Sequence, residues 1–241
     1  MTILSGKTER DVREALVSRI LCNLEKKHPV LLLVSGGSAA PLGVSVCQDI
    51  ETACENASFP QVTVSLIDER FGPMGHDDSN WTLLKKHGFA PHRLTGVPVL
   101  TELCETESTF EKTTDAFNAF LSHSVSLKTT DNLYIVALFG IGTDGHTAGI
   151  LPHSPPSLIP LSSPKFAAGF PSDVFKRITI APPFFPHIDF AVVWASGSEK
   201  KIPLENLYRD IPGEKHPAQF LKLAKETLVV TNQDIKAHEK T

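Results

Sequence analysis

The 241-residue sequence has little of what marks several large protein classes. No apolar run approaches the roughly 20 residues that cross a bilayer, and the block Val30–Val34 falls far short. The start carries no basic segment followed by an apolar stretch, so no secretory leader is expected. The four cysteines, Cys22, Cys47, Cys54 and Cys104, show no C-x-x-C spacing. They read as reduced, semi-buried thiols, which points to a cytoplasmic setting. An excess of positive charge is missing too. The 23 Lys and Arg against 27 Asp and Glu give a net charge of −4, which offers no general attraction for nucleic acid or an anionic membrane. No Ser or Cys sits in a G-x-S-x-G elbow, so covalent hydrolase chemistry is not indicated. Metal-ligand spacing is equally thin. His76, Asp77 and Asp78 are adjacent and cannot easily converge on one ion, and His146 with His153 is a weak pair, so no metal is expected. Internal repeats and low-complexity tracts are also lacking.

What is present is a repeating order of strands and helices. Val12, Ala15, Leu16, Ile20 and Leu24 recur at spacings of three and four, which predicts a helix over residues 8–27 with Thr8 and Asp11 as a capping pair. Val30–Val34 is apolar without alternation, as in a central strand buried on both faces. It stops at Ser35-Gly36-Gly37-Ser38, and a weaker helical stretch follows over residues 41–54. Residues 62–67 read as a strand ending at Asp68-Glu69-Arg70, and Ser79 is placed to cap a helix through Trp81, Leu83 and Leu84. Further strands are expected at residues 97–100, 133–139, 177–180, 190–195 and 227–231, with a helix over residues 107–124. This alternation predicts an α/β fold built on a mainly parallel sheet flanked by helices, Rossmann-like in plan.

Residues 152–186 hold nine of the 18 prolines. Proline interrupts helices, so loops with short elements are expected there. The same stretch carries Phe166, Phe170, Phe175, Phe184 and Phe185, which need burial. It is therefore read as part of one domain spanning residues 1–241, with no linker.

In an open α/β sheet, ligands bind beyond the carboxyl ends of the strands. Three such ends carry polar or glycine-rich sequence: residues 35–38, 68–70 and 140–146. The first suits a phosphate, because glycines let the backbone approach and the following helix offers free N–H groups. It lacks the Gly-Lys-Ser/Thr ending of a nucleotide loop and the G-x-G-x-x-G of a dinucleotide loop. The third, Gly140-Ile141-Gly142-Thr143-Asp144-Gly145-His146, sets Asp144 and His146 two residues apart in a loop that can wrap a ligand closely. A carboxylate beside an imidazole suits proton transfer near neutral pH.

The run from Gly140 to Ala148 followed by Leu151-Pro152 resembles the G-x-G-x-D-G-H-T-A-S-L-F-P motif of 6-phosphogluconolactonases. Asp68-Glu69-Arg70 with Ser79-Asn80 resembles that family's D-E-R…S-N segment, and residues 35–38 its S-G-G-S-T-P loop. Arg177-Ile178-Thr179 is similar to its R-(I/V)-T start, residues 197–200 to its G-x-x-K, and Pro217-Ala218 to its P-A-S. The chain departs from the pattern at Ala39-Ala40-Pro41, at Gly149 where Ser is usual, and at the proline-rich residues 181–186. The related glucosamine-6-phosphate deaminases read D-E-Y and G-H-I-A-F-N-E at the corresponding places, so both segments favour the lactonase.

The resemblance implies the fold of the deaminase/lactonase superfamily and a cofactor-free hydrolysis of a phosphosugar lactone. His146 is then the base that activates water, while Asp144 orients its ring or bonds a sugar hydroxyl. Backbone N–H groups of a glycine loop are expected to hold the oxyanion, and Gly142 and Gly145 to bind the substrate. Ser35, Gly36, Gly37, Ser38, Arg177 and Lys200 are expected at the phosphate, with Asp68 on the substrate and Arg70 at either end. Partners other than the small molecule are not expected, and the chain is read as a monomer or weak homo-oligomer. The alternatives are a deaminase and a non-catalytic phosphosugar sensor, although nothing resembles the basic helix-turn-helix that sensors carry.

Overall fold

The computed structural model describes residues 1–55, 60–100 and 107–235. Its main body is a seven-stranded, wholly parallel sheet. The strands in chain order are β1 (Thr2–Leu4), β2 (Val30–Val34), β3 (Val62–Leu66), β5 (Thr95–Gly96), β6 (Tyr134–Phe139), β9 (Phe190–Ala195) and β10 (Thr227–Thr231). Across the sheet they run β1-β10-β9-β6-β2-β3-β5. The continuous apolar run predicted to be a central strand is central: all five residues of β2 are buried, as are all six of β9. Val34 lies opposite Leu66 on one side and Leu138 on the other.

Helix α1 (Glu9–Glu25) buries Val12, Leu16, Ile20 and Leu24, the face its spacing predicted. The Thr8 N–H and hydroxyl both donate to the Asp11 carboxylate, at 2.9 and 3.0 Å, so the capping pair forms. Helix α1 packs on β2, β6 and β9 and against α2 (Ala40–Ala53). Helices α3 (Asn80–Lys86), α4 (Glu107–Thr130) and α5 (Lys201–Asn206) complete the set. Among the described cysteines, Cys22 is exposed, Cys47 and Cys54 are buried, and all three are free thiols. Cys104 and residues 101–106 lie outside the described part.

Two strand predictions need correction. Residues 97–100 are not a strand. Pairing is confined to β5, and after Val97 donates to the Val64 carbonyl at 2.8 Å, Pro98 brings no donor to continue the ladder. Residues 68–70 are not a loop at a strand end either. They begin β4 (Asp68–Phe71), which leaves the parallel sheet at Ile67 and enters a second, antiparallel sheet. There β4 pairs with β8 (Lys176–Ile180), which pairs in turn with β7 (Ala167–Pro171). The strand predicted near residue 177 therefore exists, but outside the parallel sheet. The proline-rich stretch supplies two 3-10 turns, Pro155–Leu158 and Pro182–His187, besides these strands. It buries Phe170, Phe184 and Phe185.

Strand order reverses between β2 and β6. The chain goes from β2 to β3 and β5 on one side, and from β6 to β9 and β10 on the other. The loops leaving β2 and β6 therefore diverge and leave a crevice above the sheet edge. The short β4–β8 ladder stands beside it.

Candidate active site

That crevice holds a pocket lined by Ser35, Gly36, Gly37 and Ser38 after β2, Asp68 and Arg70 on β4, and Arg177 on β8. Gly142 and His146 after β6, and Lys200 after β9, complete the expected residues there. The three polar segments singled out in the sequence thus meet. Asp144 and Gly145 are not on the wall, and Asp144 is joined to it through His146.

The loop after β6 is a closed turn. Gly142 donates to the His146 carbonyl at 2.8 Å, Gly145 to the Gly142 carbonyl at 3.1 Å, and the Thr147 hydroxyl to the Gly140 carbonyl at 2.9 Å. The amides of Gly142 and Gly145 are thereby engaged within the loop, and neither is free to receive an oxyanion. Gly145 has φ +84, in the region that favours glycine, and a Cβ there would stand 2.0 Å from His216 Nδ1. Ala218 donates to the Gly145 carbonyl at 2.9 Å, so the segment around His216 clamps the loop from behind. Although its glycines also spell G-x-G-x-x-G, no helix follows the turn, so a dinucleotide site is not formed.

This turn brings Asp144 Oδ1 to 2.6 Å from His146 Nδ1 and 3.0 Å from the His146 amide. The hydrogen bond from His146 is the largest influence on Asp144 and, against partial burial, lowers its carboxyl to about 2. An ionised carboxylate can only accept, so the Nδ1 that faces it carries a proton and the opposite ring nitrogen, Nε2, is the one left for a ligand.

Positive charge collects on the opposite wall. Arg70 and Arg177 are direct partners in the β4–β8 ladder, a pairing of like charges that is unfavourable unless an anion sits between them. Arg70 donates to the Asp78 carbonyl at 3.2 Å and lies over Phe175, and Arg177 donates to the Ser172 hydroxyl at 3.2 Å. Neither they nor Lys200, which ends a 3-10 turn Ser198–Lys200, forms an ion pair among the described residues. Asp68 is buried, and desolvation pushes its carboxyl up, opposed by Arg177, Arg70, His146 and Asn80.

Several wall residues were not expected as site residues: Asn80, Ile141 and Ala148, which the motif segments contain without a role, and Trp194, Ala195 and Ser196, which no motif marked. Trp194 and Ala195 close β9 and Ser196 follows it, so the strand-end rule applied to an apolar strand finds them. Asn80 opens α3 beside β4, a packing that the sequence pattern does not encode. The departures from the family motif have local causes. Ala39 is buried in the core. A Cβ at Gly149 would lie 2.9 Å from the Thr179 Cβ and 3.3 Å from that of Asp68, too close for the usual serine without a shift.

A parallel α/β sheet with a cation-rich pocket and an Asp–His pair at its switch point defines a class: α/β proteins that take a small anionic ligand and can move a proton on it. Comparison with known proteins names the family. Residues 6–230 match the model for glucosamine-6-phosphate isomerases/6-phosphogluconolactonase, and the chain belongs to that family. It is 25% identical over 233 residues, 96% of each chain, to a 6-phosphogluconolactonase of Borreliella burgdorferi. It is 29% identical over 155 residues to one of Pseudomonas aeruginosa, a match covering 63% of this chain and 58% of that relative. The structure of 6-phosphogluconolactonase from Trypanosoma brucei superposes with a TM-score of 0.73 at 21% identity, covering 96% of both chains. No helix among the described residues is long and apolar enough to cross a membrane.

Proposed function

We propose that this chain hydrolyses 6-phospho-D-glucono-1,5-lactone to 6-phosphogluconate. The observation that carries the reading is the His146–Asp144 pair, at 2.6 Å, opening onto a pocket with three cations, Arg70, Arg177 and Lys200, that form no ion pair among the described residues. The names of the curated relatives support the choice of substrate.

The chemistry follows from the groups in place. A water held at His146 Nε2 loses its proton to the imidazole as its oxygen bonds to the lactone carbonyl carbon. Asp144 stabilises the imidazolium that forms. The tetrahedral intermediate then collapses, the bond from carbon to ring oxygen breaks, and His146 returns the proton to that oxygen. Arg70, Arg177 and Lys200 supply positive charge for the dianionic phosphate and for the oxyanion, and the glycine loop at residues 35–38 approaches the phosphate. No step requires a cofactor.

The test is a fresh-lactone assay read against spontaneous hydrolysis. The wild type should exceed that background, and His146→Ala should lower kcat by roughly 10²–10⁴-fold with little change in KM. A His146→Ala protein with near-native kcat refutes the mechanism. Ammonia released from glucosamine 6-phosphate would transfer the reading to the deaminase, and tight phosphosugar binding without turnover to a sensor.

A further inference from the structure

Successive side chains of a strand point to opposite faces. On β4, Asp68 and Arg70 line the pocket and the intervening Glu69 does not. Glu69 is instead fully buried behind the wall, with 0% exposure. A buried carboxylate is tolerated only if its oxygens are satisfied, and these are. Oε1 accepts the N–H groups of Arg70 and Asn80, both at 2.7 Å. Oε2 accepts the Ser79 hydroxyl at 2.8 Å and the Trp81 N–H at 3.1 Å. All four donors belong to two pieces of chain, the strand that carries Arg70 and the start of α3 that carries Asn80.

Asn80 extends the linkage across the site. Its Nδ2 donates to the Asp68 carbonyl at 2.9 Å and lies 3.4 Å from the Asp68 carboxylate. Both are acceptors, which fixes the amide orientation and turns Oδ1 toward Gly36, where a Cβ would stand 1.9 Å away. Thus one carboxylate is connected through two residues to Arg70, Asp68 and the glycine loop, all on the pocket wall.

We infer that Glu69 is a positioning residue of the active site, holding Arg70 and Asn80 in register so that the wall between Asp68 and Gly36 matches the ligand. It touches no substrate. The inference rests on the lactone-hydrolase reading and adds to it the group that fixes one side of the phosphosugar site.

Glu69→Gln tests this with little change of shape. The amide oxygen can still serve one pair of donors, but the amide nitrogen meets a backbone N–H of the other pair donor to donor. KM for the lactone and Kd for 6-phosphogluconate should rise together by about tenfold, the equivalent of one lost charge-assisted hydrogen bond. Glu69→Ala should raise both further. A merely structural role lowers Tm and the active fraction, hence apparent kcat, and leaves KM and Kd alone. That outcome overturns the inference, as does a Glu69→Gln protein native in all four quantities. Should the Glu69 variants fail to fold, Ser79→Ala removes one donor, and with it the cap on the Thr82 N–H, and leaves the carboxylate, while Ser79→Asn keeps a capping acceptor and is the control for the cap. A KM raised about two- to threefold supports the inference, and an unchanged KM overturns it. Wild-type turnover above background is the separate check on the reaction, so the two ideas can fail independently.

Discussion

Gly142→Ala aims a single methyl group at the Asp–His pair. Gly142 is not among the residues with positive φ, so alanine can adopt its backbone and the effect comes from the added atom alone. That atom would stand 2.0 Å from His146 Nδ1, 2.2 Å from Cε1 and 2.5 Å from Asp144 Oδ1. Ordinary contact begins near 3.4 Å, so the ring must retreat by more than 1 Å. A bond of 2.6 Å between Nδ1 and Oδ1 does not survive such a move. Misplacing a catalytic group by about 1 Å typically costs on the order of 10²-fold, and loss of the orienting carboxylate adds to it. The expectation is a kcat lower by roughly 10²-fold with KM little changed, because the cations opposite are untouched. The reaction liberates an acid, so a pH-stat with fresh lactone measures it after the spontaneous rate is subtracted. In a His146→Ala background the methyl has no imidazole to displace, and its cost in kcat should shrink to within a few-fold. A Gly142→Ala protein with native kcat, or one losing as much in the His146→Ala background, would show that the rate does not depend on this pair.

Two further expectations concern charge. Arg177→Ala should raise KM for the lactone by roughly tenfold or more through loss of a charge-assisted contact, lowering kcat as well if that contact positions the ring; steady-state kinetics with both constants unchanged would place the phosphate elsewhere. Asp144, held at about 2 mainly by the His146 hydrogen bond, binds fewer protons folded than unfolded between that value and the ordinary carboxyl range. Its stabilisation is therefore present above the ordinary value and lost as pH falls through about 2. With the side chain about half exposed, this amounts to about 1 kcal/mol or less. Asp144→Asn should then melt roughly 2–4 °C lower at neutral pH, with the gap closing as the pH approaches 2; a gap that persists in acid would contradict the assignment.

The parts of the fold visible in the sequence are those where one rule acts alone. The spacing in α1 and the unbroken apolar runs of β2, β6 and β9 state burial directly, and the convergence of residues 35–38, 68–70 and 140–146 follows from parallel strands ending at one edge. The β4–β8 ladder was hidden because its residues are charged. Asp68 and Arg70 form a strand while facing a polar pocket, so the usual sign of burial is inverted. Thr2–Leu4 is too short to show a period. Glu69 stands in the motif, but no sequence pattern assigns it a task of its own. It sits between two pocket residues, and only the arrival of α3 supplies the donors that give it one. Asn80 belongs to the same motif segment, but its task is not visible until Gly36 is seen beside it.

The place of β1 at the sheet edge bears on how the chain is made. Among the described residues its one strand neighbour is β10, the last of these strands in chain order. At ribosomal speeds of about 5–20 residues per second, Thr2–Leu4 waits roughly 10–45 s after synthesis before Thr227–Thr231 exists to receive it. The inner strands β2, β3 and β6 can meanwhile assemble, since their mutual partners are all translated by Phe139. The Asp144–His146 turn emerges just behind them. Lys200 follows later, so the pocket acquires the Asp144–His146 pair before Lys200, and β1 finds its place at the edge of the sheet only once β10 has been made.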